Sequence, residues 1–82
     1  MIPRIKSIEP MANFKLFVQF DGGKKVVYDV NDDIRDISSF QELKTLPGLF
    51  ENASLDSSRT CVVWNERIDI PSDTIYEYGV LV

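Results

Sequence analysis

Phe14, Leu16, Val18 and Phe20 alternate along one stretch, Asp21-Gly22-Gly23 follows, and Val26, Tyr28 and Val30 then resume the same spacing; nothing else in the chain constrains its fold as much. Alternation at period two puts each apolar set on one face of a strand. The glycine pair supplies the positive-φ backbone that a tight reversal requires. Together they predict an antiparallel hairpin of residues 14–20 and 24–30 with one face turned to a core. On its other face Phe17 and Val27 stand among Lys15, Gln19, Lys25 and Asp29. That face is predicted to be partly covered or to form a contact patch, although isolated exposed apolar side chains are common and an ordinary sheet face is the simpler reading.

Around the hairpin the pattern is coarser. Residues 4–9, with Ile5 and Ile8 between Pro3 and Pro10, predict a short edge strand. From residue 31 to 51 the apolar positions Ile34, Ile37, Phe40, Leu43, Leu46, Leu49 and Phe50 recur every three or four residues, as on helical turns, and Pro47-Gly48 divides them. Ser39 and Glu42 have the spacing of a reciprocal cap, which predicts a short helix over 40–45 and little more than turns elsewhere. Residues 53–56 and 59–64 predict a second hairpin about Ser57-Ser58, with a short extended piece at Ile68-Asp69-Ile70. Pro71, Asp73 and Gly79 bracket one or two terminal turns of helix. The expected fold is α+β: a small antiparallel sheet of two hairpins plus an edge strand, with short helices on one face.

No repeat, low-complexity tract or linker divides the 82 residues, so residues 1–82 are expected to form a single domain. A hydrophobic share of 44% is enough for a packed interior. No apolar run is long enough to cross a membrane as a helix, and the opening Met1-Ile2-Pro3-Arg4 does not read as a signal peptide. With a lone cysteine, Cys61, the expected location is cytoplasmic, without membrane contact. The net charge of −4 is uneven: residues 1–25 carry five bases against two acids, and residues 26–82 carry four against eleven. Either the molecule is a dipole able to steer a charged partner, or, the favoured reading, strands from both parts pair and mix the charges.

Asp29, Asn31 and Asp33 imitate the first donor positions of a calcium loop, but Ile34 and Phe40 stand where that loop needs glycine and a bidentate glutamate. A solvated turn is expected there instead. The absence of histidine removes zinc sites and nucleophilic triads, and the strand context of Cys61 favours a packed side chain over a reactive thiol. Neither a metal nor a cofactor is expected. Asp21-Gly22-Gly23-Lys24-Lys25 lacks the spacing of a phosphate loop. A sequence pI near 4.6 argues against autonomous nucleic-acid binding, with Lys15, Phe17, Lys25 and Tyr28 as a weak stacking surface for single strands. Trp64, Asp69, Asp73 and Tyr76 form a polar-aromatic group that reads either as the rim of a binding pocket or, preferably, as structure: Trp64 closing the core, the two aspartates bonding free N–H groups where the last helix starts, and Tyr76 packing back on the sheet.

The ordered set Pro3-Arg4-Ile5, Pro10, residues 16–20, Gly23, Tyr28-Asp29, Phe40, Leu43, Leu49-Phe50, Trp64, Ile68-Asp69-Ile70 and Asp73-Thr74-Ile75-Tyr76 resembles the short bacterial proteins grouped as domain of unknown function 2442 (DUF2442). The similarity spans nearly the whole chain. One departure is Asn65-Glu66-Arg67, where that pattern is expected to carry a glycine-containing turn. The family supplies no established activity and no catalytic residues to carry over. It does imply relatives joined to a helix-turn-helix segment and relatives encoded beside another small protein, as toxin–antitoxin pairs are. Since this sequence stops at Val82, no DNA-binding segment of its own is expected. The function expected first is a non-enzymatic protein-interaction or regulatory module, antitoxin-like, binding a small protein encoded nearby or a second copy of itself. The residues to watch are Lys15, Phe17, Lys25 and Val27 with Trp64, Asp69, Asp73 and Tyr76. The alternative is a small-ligand or metal binder, or an enzyme, using surface carboxylates at residues 29–33 or 69–73.

Overall fold

The hairpin that the alternation demands forms around β2 (Lys15–Phe20) and β3 (Lys25–Asp29), paired antiparallel with Leu16 opposite Tyr28 and Val18 opposite Val26. These side chains and Phe20 are buried, while the alternate positions stay wetter. Asp21-Gly22-Gly23 closes the loop. The Gly23 amide donates to the Phe20 carbonyl at 2.9 Å, and Gly23 takes the left-handed φ of 98° that a side chain would resist. The computed structural model describes residues 2–82, and the placements below refer to these.

Phe14 departs from expectation. It belongs not to the strand but to the turn after β1 (Ile5–Met11), with φ of 59°. A bulky residue in this region costs about 1–2 kcal/mol. The strained backbone turns the ring edge-on to Phe50, with centroids 5.3 Å apart. The turn is tied down by the Val30 amide, which donates to the Phe14 carbonyl at 3.0 Å, and by the Asn31 side-chain amide, which donates to Asn13 at 2.7 Å. β1 pairs antiparallel with β2 and runs two residues further than expected, through Pro10 to Met11. As an edge strand it tolerates a proline that offers no donor.

After β3 the chain enters α1 (Asn31–Asp36), a turn of helix where the sequence suggested a loop. A 3₁₀ turn over Ser38–Gln41 leads into α2 (Glu42–Thr45), and a second 3₁₀ turn spans Phe50–Asn52. Each contributes one buried anchor, in order Ile34, Phe40, Leu43 and Phe50. The expected cap between Ser39 and Glu42 does not form. Ser39 lies inside the 3₁₀ turn rather than at a helix start, and the Glu42 carboxylate accepts from Arg67 at 2.6 Å instead.

The second half makes its own three-stranded sheet, ordered β4 (Ser54–Leu55), β5 (Cys61–Asn65) and β6 (Ile68–Pro71), all antiparallel. The two hairpins therefore do not share one sheet. Beyond β6, α3 (Ser72–Tyr78) leads to β7 (Val80–Leu81), which takes the free edge of β3 and completes a sheet ordered β1-β2-β3-β7. With that edge occupied, the second hairpin joins the first sheet through the shared core and, at the backbone, through a corner between Ile5 and Arg59. There the Ile5 amide donates to the Arg59 carbonyl at 2.7 Å, and the Arg59 guanidinium donates back to the Ile5 carbonyl at 3.2 Å. The same guanidinium grips Asp21 through two bonds of 2.8 and 3.0 Å, joining a base of the acidic part to an acid of the basic part. The loop between β4 and β5 turns at Ser57-Ser58 as expected, the Arg59 amide donating to the Asp56 carbonyl at 3.1 Å, and the Asp56 carboxylate accepts from the Thr60 and Cys61 amides at 2.9 and 3.2 Å. Where the sequence departs from the family pattern, the Asn65 side chain accepts from the Arg67 amide at 2.8 Å, closing the turn without glycine.

Both sheets and every helix feed one core cluster. Pro71 ends β6 and precedes α3 in extended conformation, rather than sitting in the first helical turn as expected. Ser72, fully buried, donates its hydroxyl to the Pro3 carbonyl at 2.6 Å, and its amide donates to Thr60 at 2.8 Å. At the other end of α3, a Cβ on Gly79 would lie 2.7 Å from both the Ile75 carbonyl oxygen and the Val26 side chain. Glycine here permits close approach of β7 to β3. Gly79→Ala is expected to lower unfolding stability by about 1–3 kcal/mol through overpacking, and Ser72→Ala by about 1–2 kcal/mol by leaving the Pro3 carbonyl without its buried donor; urea unfolding measures both.

Candidate functional site

The pairing register lays out the outer face of the four-stranded sheet. Phe17 stands opposite Glu9 on one side and Val27 on the other, and Val27 stands opposite Val80, so three apolar side chains run in a row across β2, β3 and β7. Lys15 faces Asp29 in the row on one side, and Gln19 faces Lys25 in the row on the other. Phe17 and Val27 are half-buried and belong neither to the core cluster nor to the side chains packed against it. Val80 is 71% exposed. Sequence reasoning found Lys15, Phe17, Lys25 and Val27 but missed Val80; the run Val80-Leu81-Val82 after the helix-stopping Gly79 was the available signal. Tyr28 does not join this face. It points into the core, so a stacking surface combining it with Phe17 does not exist.

Tyr28 instead organises the acidic segment. Its hydroxyl donates to the Asp33 carboxylate at 2.7 Å. Burial, and then Asp33 itself, push the phenol well above its ordinary value. Burial is also the first reason that the Asp33 carboxyl is raised. Asp29 is held below the usual range, chiefly by the Asn31 amide that donates to it at 2.9 Å, with Lys15 contributing. Asp56 is likewise lowered, the Ser58 hydroxyl being the first cause. Among the described residues no three carboxylates or thiols gather as a metal site, and no helix is long and apolar enough to cross a membrane.

The group Trp64, Asp69, Asp73 and Tyr76 does not share a rim. Trp64 is buried, its indole N–H donating to the Phe50 carbonyl at 2.9 Å and its ring stacked on Phe50. Asp69 is exposed on β6 opposite Val63. Asp73 accepts from the Thr74 amide at 2.9 Å at the start of α3, the role expected of it, whereas Asp69 does not share that role. Tyr76 packs back on the first sheet, edge-on to Phe20 at 5.0 Å, with the Lys24 ammonium 3.6 Å above its ring. These three residues, with Pro3, Arg4 and Asp21, border an open groove of about 930 Å³. Cys61, half-buried on β5, has its thiol raised by burial, which suits packing rather than nucleophilic chemistry.

The opposite carboxyl shifts carry opposite stability consequences. Because the Asp33 carboxyl is raised in the folded state, folding favours its protonated form, and stability falls as pH rises through its folded value. For Asp29 and Asp56 the folded values are depressed, so their contribution is present above the ordinary aspartate value and is lost as pH falls through the folded ones. Carboxyl-carbon NMR titration should find Asp33 protonating before Asp29 and Asp56 on acidification. Asp33→Asn, which keeps an acceptor for Tyr28, should remove the decline of stability on the higher-pH side.

No curated protein and no solved structure matches the chain. A family model does, described as Protein of unknown function (DUF2442), over residues 5–80. The match runs from the first residue of β1 to the first of β7, and so takes in both sheets and all three helices. The chain therefore belongs to the DUF2442 family.

Proposed function

We propose that this chain is a non-enzymatic protein-interaction module whose contact surface is the outer face of the four-stranded sheet. The observation that carries the reading is the row Phe17, Val27 and Val80, an apolar strip outside the core and flanked by Lys15, Lys25, Glu9 and Asp29. An apolar centre with a charged surround is the anatomy of a protein-binding patch. The net charge of −4 favours a basic partner. Within this reading the module is regulatory and antitoxin-like, the acidic member of a pair whose other member is a small protein encoded nearby.

A carboxylate-based ligand, metal or enzymatic site has weaker support. Asp29 and Asp33 already accept hydrogen bonds from Asn31 and Tyr28, and Asp69 stands apart from both. The test is co-expression with the product of the adjacent gene, followed by co-purification at low salt. The native chain should retain that protein. A Phe17→Ser, Val27→Thr double variant should bind at least about tenfold more weakly, with an unfolding midpoint close to the native one. A chain that purifies alone, or a variant that binds as well as the native chain, overturns the proposal.

A further inference from the structure

We infer that the groove bordered by Arg4, Lys24 and Tyr76 is a binding site for a small aromatic anion, a flat apolar body carrying one carboxylate or phosphate group. None of Phe17, Val27 and Val80 borders this groove, so the inference is independent of the reading of the outer sheet face. At about 930 Å³ the groove has the size of a small-molecule site, and Ile2, Pro3, Phe20 and Tyr76 give it apolar walls. Its charge comes from the pairing at the end of the first hairpin. The Asp21 amide donates to the Arg4 carbonyl at 3.0 Å, and the Phe20 amide donates to the Lys24 carbonyl at 2.9 Å. Arg4 and Lys24 therefore flank β2 from its two sides, about 10 Å apart at the backbone, a span that two long side chains can close on a single acid group.

Three features favour an anion. The Lys24 ammonium is already held in place, donating to the Tyr76 carbonyl at 3.0 Å and lying 3.6 Å from the centre of the Tyr76 ring. A lysine fixed in this way loses less freedom on meeting a ligand than a mobile one does. Arg4, among the described residues, is in no ion pair, so its guanidinium fork is open to a carboxylate or phosphate. Asp21, the acid of the groove, is neutralised by its two bonds from Arg59, whose backbone is left-handed with φ of 59°. A non-glycine residue keeps that conformation only where its surroundings enforce it. The groove is thus cationic on a chain whose net charge is −4. An extended peptide is a poorer occupant. The Phe20, Asp21 and Gly23 amides along the wall already donate within the chain, so recognition falls to side chains, whereas strand addition draws on free backbone groups.

Titration of the full chain with naphthoate, followed in amide NMR spectra, tests the site. Binding should saturate with Kd below about 1 mM and should shift the Gly22, Lys24 and Thr60 amides, all of which border the groove. Naphthamide, similar in shape but uncharged, should bind at least about tenfold more weakly, and the preference for naphthoate should shrink with added salt. Naphthyl phosphate is the second arm, and whichever anion binds more tightly assigns the acid group. Arg4→Gln should weaken naphthoate binding about tenfold while leaving naphthamide binding and the unfolding midpoint unchanged, which separates a lost ionic contact from a disturbed fold. Lys24→Gln should add to that loss. The inference is overturned if none of the three amides moves by about 5 mM naphthoate, a concentration at which a 1 mM site is about four-fifths filled. Naphthamide that binds as tightly as naphthoate overturns it too, as does an Arg4→Gln, Lys24→Gln double variant that binds naphthoate as the native chain does.

Discussion

A one-residue slip of β2 against β3 would turn Leu16, Val18 and Phe20 to water and bring Lys15, Phe17 and Gln19 into the core. The rest of the structure depends on that register. It fixes which face receives the helices and the second sheet. By the same stroke it fixes the row of Phe17, Val27 and Val80 on the opposite side. The glycine turn at Asp21-Gly22-Gly23 and the Phe20–Lys24 hydrogen bond of 2.9 Å set it locally, and burial of the inward row enforces it globally.

Besides the shared apolar core and the short β3–β7 pairing, a small number of polar joints attaches the second half to this hairpin. Arg59 joins the start of β1 to the β2–β3 turn, and Ser72 joins α3 to Pro3. The Arg59–Asp21 pair is about two-fifths exposed on each side, so its worth is at most about 1 kcal/mol and its value is mostly geometric. The Ser72 joint is different in kind. Its hydroxyl is buried, so the bond is needed to avoid an unsatisfied group rather than merely helpful.

The hairpin was legible because a period of two is unambiguous over six or more residues and glycine marks the reversal. The outer face was legible for the same reason: Phe17 and Val27 interrupt an otherwise polar row. Trp64 and Tyr76 could be read as structural, since a large aromatic near a chain's apolar segments has few other uses. The partition into two sheets could not be read, because it depends on β7 claiming the edge of β3, a pairing of residues 80–81 with 26–27 that no local pattern encodes. Phe14 was misplaced because its alternation is genuine while its backbone is left-handed. The capping pair Ser39 and Glu42 had the right spacing, but Ser39 sits inside a 3₁₀ turn and the Glu42 carboxylate is engaged by Arg67, so tertiary contact overrode the local signal. Family membership was visible only in the ordered set, no single element of which is specific.

The bond from Ser72 to Pro3 and the pairing of β7 with β3 both join residues far apart along the chain. Contacts of such long range are closed late, because the intervening loop entropy has to be overcome before they return any stabilisation. Until residues 80–81 pair, the β3 edge of the sheet stays bare beside the face that carries Phe17 and Val27. The sticky side and the open edge are thus exposed together, and the arrival of β7 removes one of these while leaving the other for a partner.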